Sequence, residues 1–377
     1  MNTNSIEVIP VKTKKDLNNF IKLPWKIYKN DPQWVPPLIS QLKANLDKNK
    51  HPFFEHSEAD FFIAERGKQT VGTIAAILNN RHNEVHNENV GFFGFFETIK
   101  DYEVAEKLLA RAMEWGAEKK LDCMRGPENY SQNDPCGLLI DGFETPPAIL
   151  MTHNPKYYQD FIKRYGFTKA MDLWAWQMNA KDTEIPERVK KVVKRIKERS
   201  KVTFRKISKK HLDTEIELVK QVYNNAWEKN WGFVPMTERE IEHTADELKD
   251  IVDEDIVFFA ELDGKPIGFS LACPDFNQAL IKLNGRLFPF GIFKLLWHAR
   301  KINRARVIIM GVIPEYRSRG IDSVFYLDTY ENAVAKGYTW GEFSWILETN
   351  DAMNTALKNI GAEIYKTYRI FEKKIIR

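Results

Sequence analysis

The sequence predicts an α/β (α+β mixed-sheet) protein made of two similar domains, each a mixed, mostly antiparallel sheet flanked by helices. Three observations predict it. Short apolar segments turn back on themselves at Gly-Lys pairs, amphipathic helical patterns follow them, and both features occur twice in the same order. A length of 377 residues also exceeds one ordinary domain.

The first half opens with a short strand, then Lys14-Lys15-Asp16-Leu17 and a helix. Ala59–Gly67 and Gln69–Leu78 form a hairpin around Gly67-Lys68. Val90–Ile99 is a Phe-rich strand. Ala105, Leu108, Leu109, Ala112 and Met113 then repeat at helical spacing. Tyr157–Tyr165 is a helix stopped by Gly166, and Leu173–Met178 is a closing strand. In the second half, Lys209-Lys210-His211-Leu212 opens a helix, and Asp255–Leu262 with Pro266–Cys273 forms the matching hairpin. Arg306–Ile313 is a strand, Ile321–Lys336 a helix, Thr339–Leu347 a strand, Asn350–Ile360 a helix, and Ile364–Lys373 the last strand. Gly268 answers Gly72 and Gly361 answers Gly166, at the same separation to within one residue. The expected divisions are residues 1–182, a basic linker helix at 183–200, and residues 201–377.

The halves differ by insertions. Pro127–Pro147 interrupts the first; within it, the polar run Tyr130–Gly137 reads as an acceptor pocket or a surface loop. Asn277–Asn303 interrupts the second and includes Leu287, Phe288, Phe290, Phe293, Leu296 and Trp297, a lid or substrate wall on one reading and extra core or an inter-domain contact on another. Residues 188–210 hold twelve Lys/Arg against Glu198 alone, a solvated linker helix or an anion-binding face. Trp174, Trp176, Trp227, Trp231, Trp340 and Trp345 read as packing residues.

Composition narrows the function classes. A hydrophobic share of 43% with 29% charged residues is that of a soluble globular protein, not a disordered or collagen-like chain. Three cysteines, Cys123, Cys136 and Cys273, without a Cys-x-x-Cys pair, suit reduced, packed thiols and give no metal site. A net charge of +4 is too mild to demand nucleic acid. Met1–Pro10 is polar, without a signal-type apolar stretch, and Leu287–Trp297 is too short to span a bilayer. The expectation is a cytoplasmic protein with no membrane partner; its oligomeric state stays open.

One loop carries a chemical signature. Val312-Ile313-Pro314-Glu315-Tyr316-Arg317-Ser318-Arg319-Gly320-Ile321-Asp322 joins a strand to a helix. Free N–H groups and the dipole at a helix N-terminus attract an anion, glycine permits close approach, and arginine forks suit phosphate. This loop, in this order of elements, resembles the acyl-CoA loop of the GNAT superfamily of N-acetyltransferases. That loop reads Gln/Arg-x-x-Gly-x-Gly/Ala after Val-x-Pro; here it is Arg317-x-x-Gly320-x-Asp322 after Val312-x-Pro314. The Asn350 helix ending at Gly361-Ala362 fits the same pattern. The resemblance spans most of 201–376 and, more weakly, 1–180.

The resemblance implies a tandem GNAT protein that binds acetyl-CoA or another acyl-CoA through Val312, Ile313, Arg317, Ser318, Arg319, Gly320, Ile321, Asp322 and Asn350, and acylates a small-molecule or protein amine. Three departures stand out. Ile99-Lys100-Asp101-Tyr102-Glu103 in the first half lacks Arg-x-x-Gly, which implies a degenerate half that does not hold acyl-CoA. Asp322 replaces Gly or Ala, and a carboxylate about 5 Å from a phosphate charge costs roughly 3 kcal/mol at an effective dielectric near 20. The family's acidic Tyr position is Leu357 here, leaving Tyr365 or Tyr368 as substitutes.

Acyl transfer needs a base for the amine, polarisation of the thioester oxygen near Val312, and a proton for the thiolate. Glu342 and Glu348, which share strand parity with Ser344 and Ile346, are the base candidates, and Tyr365 the acid. Two other classes remain open. One is an aminoacyl-tRNA-dependent transferase of the tandem-GNAT type, suggested by the basic stretch at 188–210. The other is a non-catalytic CoA- or partner-binding module, suggested by Asp322 and Leu357.

Overall fold

A computed structural model describes residues 5–226 and 230–376; Trp227 lies outside the described residues. The chain forms two compact units that are not contiguous in sequence. The first holds the chain up to Leu173, with Leu280–Leu295 and the chain from Lys366 onward; the second holds Trp174–Ala279 and Leu296–Tyr365.

In the first unit, β1 (Ile6–Pro10), β2 (Glu58–Arg66), β3 (Gln69–Leu78) and β4 (Val90–Thr98) are antiparallel neighbours. β5 (Cys123–Gly126) lies parallel to β4. β6 (Leu138–Asp141) comes from the first insertion. β7 (Thr168–Asn179) crosses from the first unit into the second at Leu173.

In the second unit, β8 (Val202–Lys206), β9 (Val257–Leu262), β10 (Lys265–Pro274) and β11 (Arg304–Val312) are antiparallel neighbours. β12 (Trp340–Leu347) is parallel to β11 and has the Trp174–Asn179 part of β7 on its other side. The last strand, β13 (Glu363–Lys374), gives its C-terminal part to the first unit, where Phe371 faces Gly126 of β5 and Arg369 faces Leu138 of β6.

The hairpin glycines explain why the same pattern recurs. A Cβ on Gly72 would lie 2.5 Å from Leu108 Cδ1 and 2.8 Å from Val104 Cγ1. Glycine there lets the helix Tyr102–Glu118 lie directly on β3. That helix buries Val104, Ala105, Leu108, Leu109, Ala112 and Trp115, the stripe its spacing predicts. A Cβ on Gly268 would lie 2.9 Å from Gly311 O and 3.4 Å from Phe325, a residue of the corresponding helix Ile321–Ala335. In each half the glycine buys closeness between sheet and helix, and side chains such as Leu108 and Phe325 become fully buried.

Two expectations change. Tyr130–Gly137 is no surface loop: Tyr130 is buried, stacks on Phe53 with ring centroids 4.8 Å apart, and donates its hydroxyl to Asn45 O at 2.8 Å. The apolar insertion is not extra core either, because its helix Gly291–Ala299 buries none of its residues. The three cysteines are free; burial lifts the Cys123 thiol to about 11 and the Cys273 thiol to about 12, so both stay protonated at neutral pH.

Candidate active site

The strand-to-helix loop of the second unit has the expected form. β11 ends at Val312, Pro314–Tyr316 makes a short 3₁₀ turn, and Gly320 caps the helix Ile321–Ala335 with φ 77°. A left-handed backbone is available to glycine at little cost. The first-turn amides of Ile321, Asp322 and Ser323 have no acceptor within the helix, the geometry that receives an anion. Ile313 N–H is spent on Ile267 O of β10 at 2.9 Å. Backbone alternation therefore turns the neighbouring Val312 N–H toward the β12 side. The β11–β12 ladder runs from Arg304↔Trp340 to Val307↔Phe343, whereas β11 continues to Val312 and β12 to Leu347. The parallel ladder therefore ends five residues before Val312, where the loop residues begin.

The individual loop residues differ in what they do. Arg317 directs its guanidinium to Val312 O at 3.1 Å and Ala226 O at 2.5 Å, fastening the turn to the protein's own main chain. Arg319 lies over the Tyr316 ring, 4.8 Å from its centroid, and Ser318 has φ 61°. Asp322 is exposed in the first helical turn, where a carboxylate favours the helix dipole. Asn350 serves as a helix cap, accepting from Met353 N at 3.2 Å.

The basic helix Glu187–Arg199 borders this loop. A Cβ on Gly320 would meet Ile196 Cδ1 at 2.5 Å, and Lys197 Nζ pairs with Asp328 of the loop's helix at 2.5 Å. Val189, Val193 and Ile196 face the unit's core, so the helix is amphipathic rather than a bare solvated linker.

Two of the three expected catalytic residues come together. Glu342 is fully buried on β12, opposite Arg306 of β11. It accepts hydrogen bonds from the Ser344 and Tyr365 hydroxyls, and Arg306 Nε lies 3.5 Å from it. Arg306 also donates to Ser344 Oγ at 2.8 Å and Ser344 O at 3.0 Å. Tyr365 keeps partial exposure, so its phenol joins the buried cluster to the surface. Glu348 is half-buried in the turn after β12. Leu357 is wholly buried in the core. Among the described residues, no group of His, Cys, Asp and Glu is arranged to hold a metal ion.

The first unit holds a cluster that sequence reasoning missed. Glu97, next to the end of β4, accepts from Tyr28 OH at 2.9 Å and Tyr158 OH at 2.7 Å. Tyr158 OH in turn accepts from Thr98 N–H at 2.7 Å. His153 lies beside Tyr28, its ring centroid 6.0 Å away, and its Nε2 is 2.8 Å from Asp31 Oδ2. The surrounding protein strips water from the Glu97 carboxyl and raises it to about 7, against the lowering pull of the two phenols. The residue nevertheless keeps partial exposure, which places the carboxyl at the edge of its shell. Glu128, just after β5, is also buried and raised to about 8 by loss of hydration. The available signal was a lone acid in the strand Val-Gly-Phe-Phe-Gly-Phe-Phe-Glu-Thr. At the start of the following helix, Asp101 caps Glu103 N at 3.0 Å and pairs with Arg66 at 2.5 Å, so a carboxylate already fills that N-terminus.

Comparison with known proteins places this architecture. No family model matches the chain. It is 37% identical over 368 residues to protein YghO of Escherichia coli (strain K12), covering 96% of this chain and 94% of that protein. It is 36% identical over 377 residues to the bacterial ceramide synthase of Caulobacter vibrioides (strain NA1000 / CB15N), covering 98% of each. Among solved structures, a tandem GNAT protein from the clavulanic acid biosynthesis pathway matches with a TM-score of 0.59, 10% identity and 99% coverage of both chains. A GCN5-related N-acetyltransferase from Sphaerobacter thermophilus matches with a TM-score of 0.53 at 12% identity, covering 100% of this chain and 97% of the other.

Proposed function

Since the chain belongs to the GNAT superfamily, in the family that includes protein YghO and the Caulobacter ceramide synthase, we propose that it is an N-acyltransferase that moves a fatty acyl group from acyl-CoA to the primary amine of a long-chain amino alcohol. A ceramide is the amide of a fatty acid and such an amine, so the relative's name describes N-acyl transfer. In the reaction the amine nitrogen attacks the thioester carbon, the C–N bond forms, the C–S bond breaks, the amine loses a proton and the thiolate gains one.

The observation that carries this reading is the Gly320-capped helix that follows β11, whose ladder with β12 ends at Val307↔Phe343 and leaves the Val312 N–H beyond it. Phosphates of the carrier would meet the first-turn amides of the helix Ile321–Ala335. The thioester oxygen would meet the Val312 N–H, a donor preorganised by the strand. Tyr365 is the proton donor to the thiolate, and Glu342, fixed by Arg306 and Ser344, holds the phenol in position. Glu348 is the more accessible carboxylate for taking the amine's proton. The filled helix N-terminus at Asp101 supports a first unit that does not hold the carrier.

A second reading moves the proton-accepting step to the first unit. The partly exposed Glu97, raised to about 7, is favoured for this because a base tuned near the working pH transfers protons efficiently. Calorimetric titration with long-chain acyl-CoA tests the main reading. Saturable binding that Gly320→Val removes is expected; absence of heat at millimolar ligand refutes the carrier site.

A further inference from the structure

The insertion in the second half leaves an apolar surface that the acyl-transfer reading does not use. Phe288 is 84% exposed, Phe290 69%, Phe293 68%, Trp297 61% and Leu296 57%. Ile292, Phe293, Leu296 and Trp297 fall at i, i+1, i+4 and i+5 of the helix Gly291–Ala299, which places them on one face. A soluble protein rarely leaves so many large side chains bare on one short segment.

The charges around this face indicate what covers it. Between Asp275 and Glu315 the sequence contains no Asp or Glu. Arg286, Lys294, Arg300 and Lys301 of this stretch are exposed, and Lys301 Nζ lies 5.1 Å from the Trp297 ring centroid. A second copy docking face to face would press like charges together. The polyanionic backbone of nucleic acid would satisfy the charges but leave Ile292 and Leu296 without an apolar partner. An anionic bilayer satisfies both features: acyl chains receive the Phe and Leu side chains, Trp sits at the headgroup level, and lipid phosphates meet the bases.

We propose that the segment from Arg286 to Lys301 docks this protein onto the surface of an anionic phospholipid bilayer, lying in the interface without crossing it. No described helix is long and apolar enough to span a membrane. The proposal revises the sequence-based expectation of no membrane partner. It stands on exposure and charge, independently of the acyl-transfer reading, although acyl chains and long-chain amines are themselves found in membranes.

The test is co-sedimentation of the full chain with vesicles of phosphatidylcholine mixed with phosphatidylglycerol, against vesicles of phosphatidylcholine alone. The native protein should pellet with the anionic vesicles and be released by high salt. The exposed-residue variant F288S/F293S/W297S should bind at least about tenfold more weakly, with an unchanged melting temperature. K294E/R300E/K301E should lose the preference for anionic vesicles. The proposal is overturned if native protein stays in the supernatant at millimolar anionic lipid, if neither variant alters binding, or if light scattering finds a native dimer that F288S/F293S/W297S dissociates. Acylation of amine and acyl-CoA presented in detergent micelles reports separately on the proposed reaction, so either claim can fail without the other.

Discussion

Strand β4 of the first unit and strand β11 of the second occupy the same place in the repeat, but they end differently. Gly72 faces Thr98, and Gly268 faces Val312. The shared register sets Glu97 against Gly311, and the parallel pair Phe92↔Arg125 against Arg306↔Glu342. The first unit carries a carboxyl at the strand end, and its next helix is capped by Asp101. The second has glycine at the strand end, and its next helix is capped by Gly320 in a left-handed conformation. One unit thus has a carboxyl at the strand end and a carboxylate cap on the next helix; the other has glycine at both places and holds its carboxyl in an Arg-Ser-Tyr cluster. The two units share the glycine-tight hairpin and differ in a few residues at strand ends, where a common scaffold can carry different chemistry.

The largest effect that can break this comparison lies at the two helix starts. Gly320→Val forces a β-branched side chain into a left-handed backbone and against Ile196, and should lower acyl-CoA affinity about 100-fold, because the clash with Ile196 adds to a left-handed strain of roughly 1–2 kcal/mol and displaces the turn. Asp101→Gly, tested by the same titration, should create no site in the first unit.

Proton transfer comes next. Tyr365→Phe should lower kcat by about 100-fold through loss of a proton donor, while Glu97→Gln stays near the native rate. The opposite result, with loss of the rise in rate near pH 7 in Glu97→Gln, would assign base catalysis to the first unit. Tyr365→Phe is a cleaner probe than Glu342→Gln, because removing one member of a buried pair costs about 3–5 kcal/mol and would strand Arg306.

Packing supplies a third contrast. Leu108→Ala removes a fully buried side chain from the helix lying on Gly72 and should cost about 2–5 kcal/mol in denaturant unfolding.

A smaller effect depends on pH. Glu97 at about 7 and Glu128 at about 8 hold protons in the folded chain that the unfolded chain has already released. The folded state thus binds more protons between the ordinary carboxyl range and these raised values, and their contribution to stability falls as pH rises from about 4.5 to about 8. Glu97→Gln should flatten part of that fall in melting temperature measured across the window. Arg111→Ala, an exposed contact with Glu118, is the control and should leave acyl-CoA binding unchanged.

Much of the scaffold was legible because local rules write it. The Gly67-Lys68 and Gly264-Lys265 turns marked β2–β3 and β9–β10, and the Leu108 stripe marked its helix. Strand parity put Glu342 with Ser344, and the structure adds Tyr365 to them. Glu97 was not legible. Tyr28 and Tyr158 approach it from distant segments of the chain, and no periodicity records such a closure. Arg317 was legible as a loop residue but not in its orientation, since nothing in the motif tells a phosphate from the carbonyls of Val312 and Ala226.

The most direct measurement is amide formation. Purified protein would be incubated with a long-chain acyl-CoA and a long-chain amino alcohol, and the product followed by mass spectrometry. The account predicts an N-acylated amine and one free CoA per amide, with both lost in Gly320→Val. No amide above the protein-free rate, under conditions where the acyl-CoA binds, would contradict it.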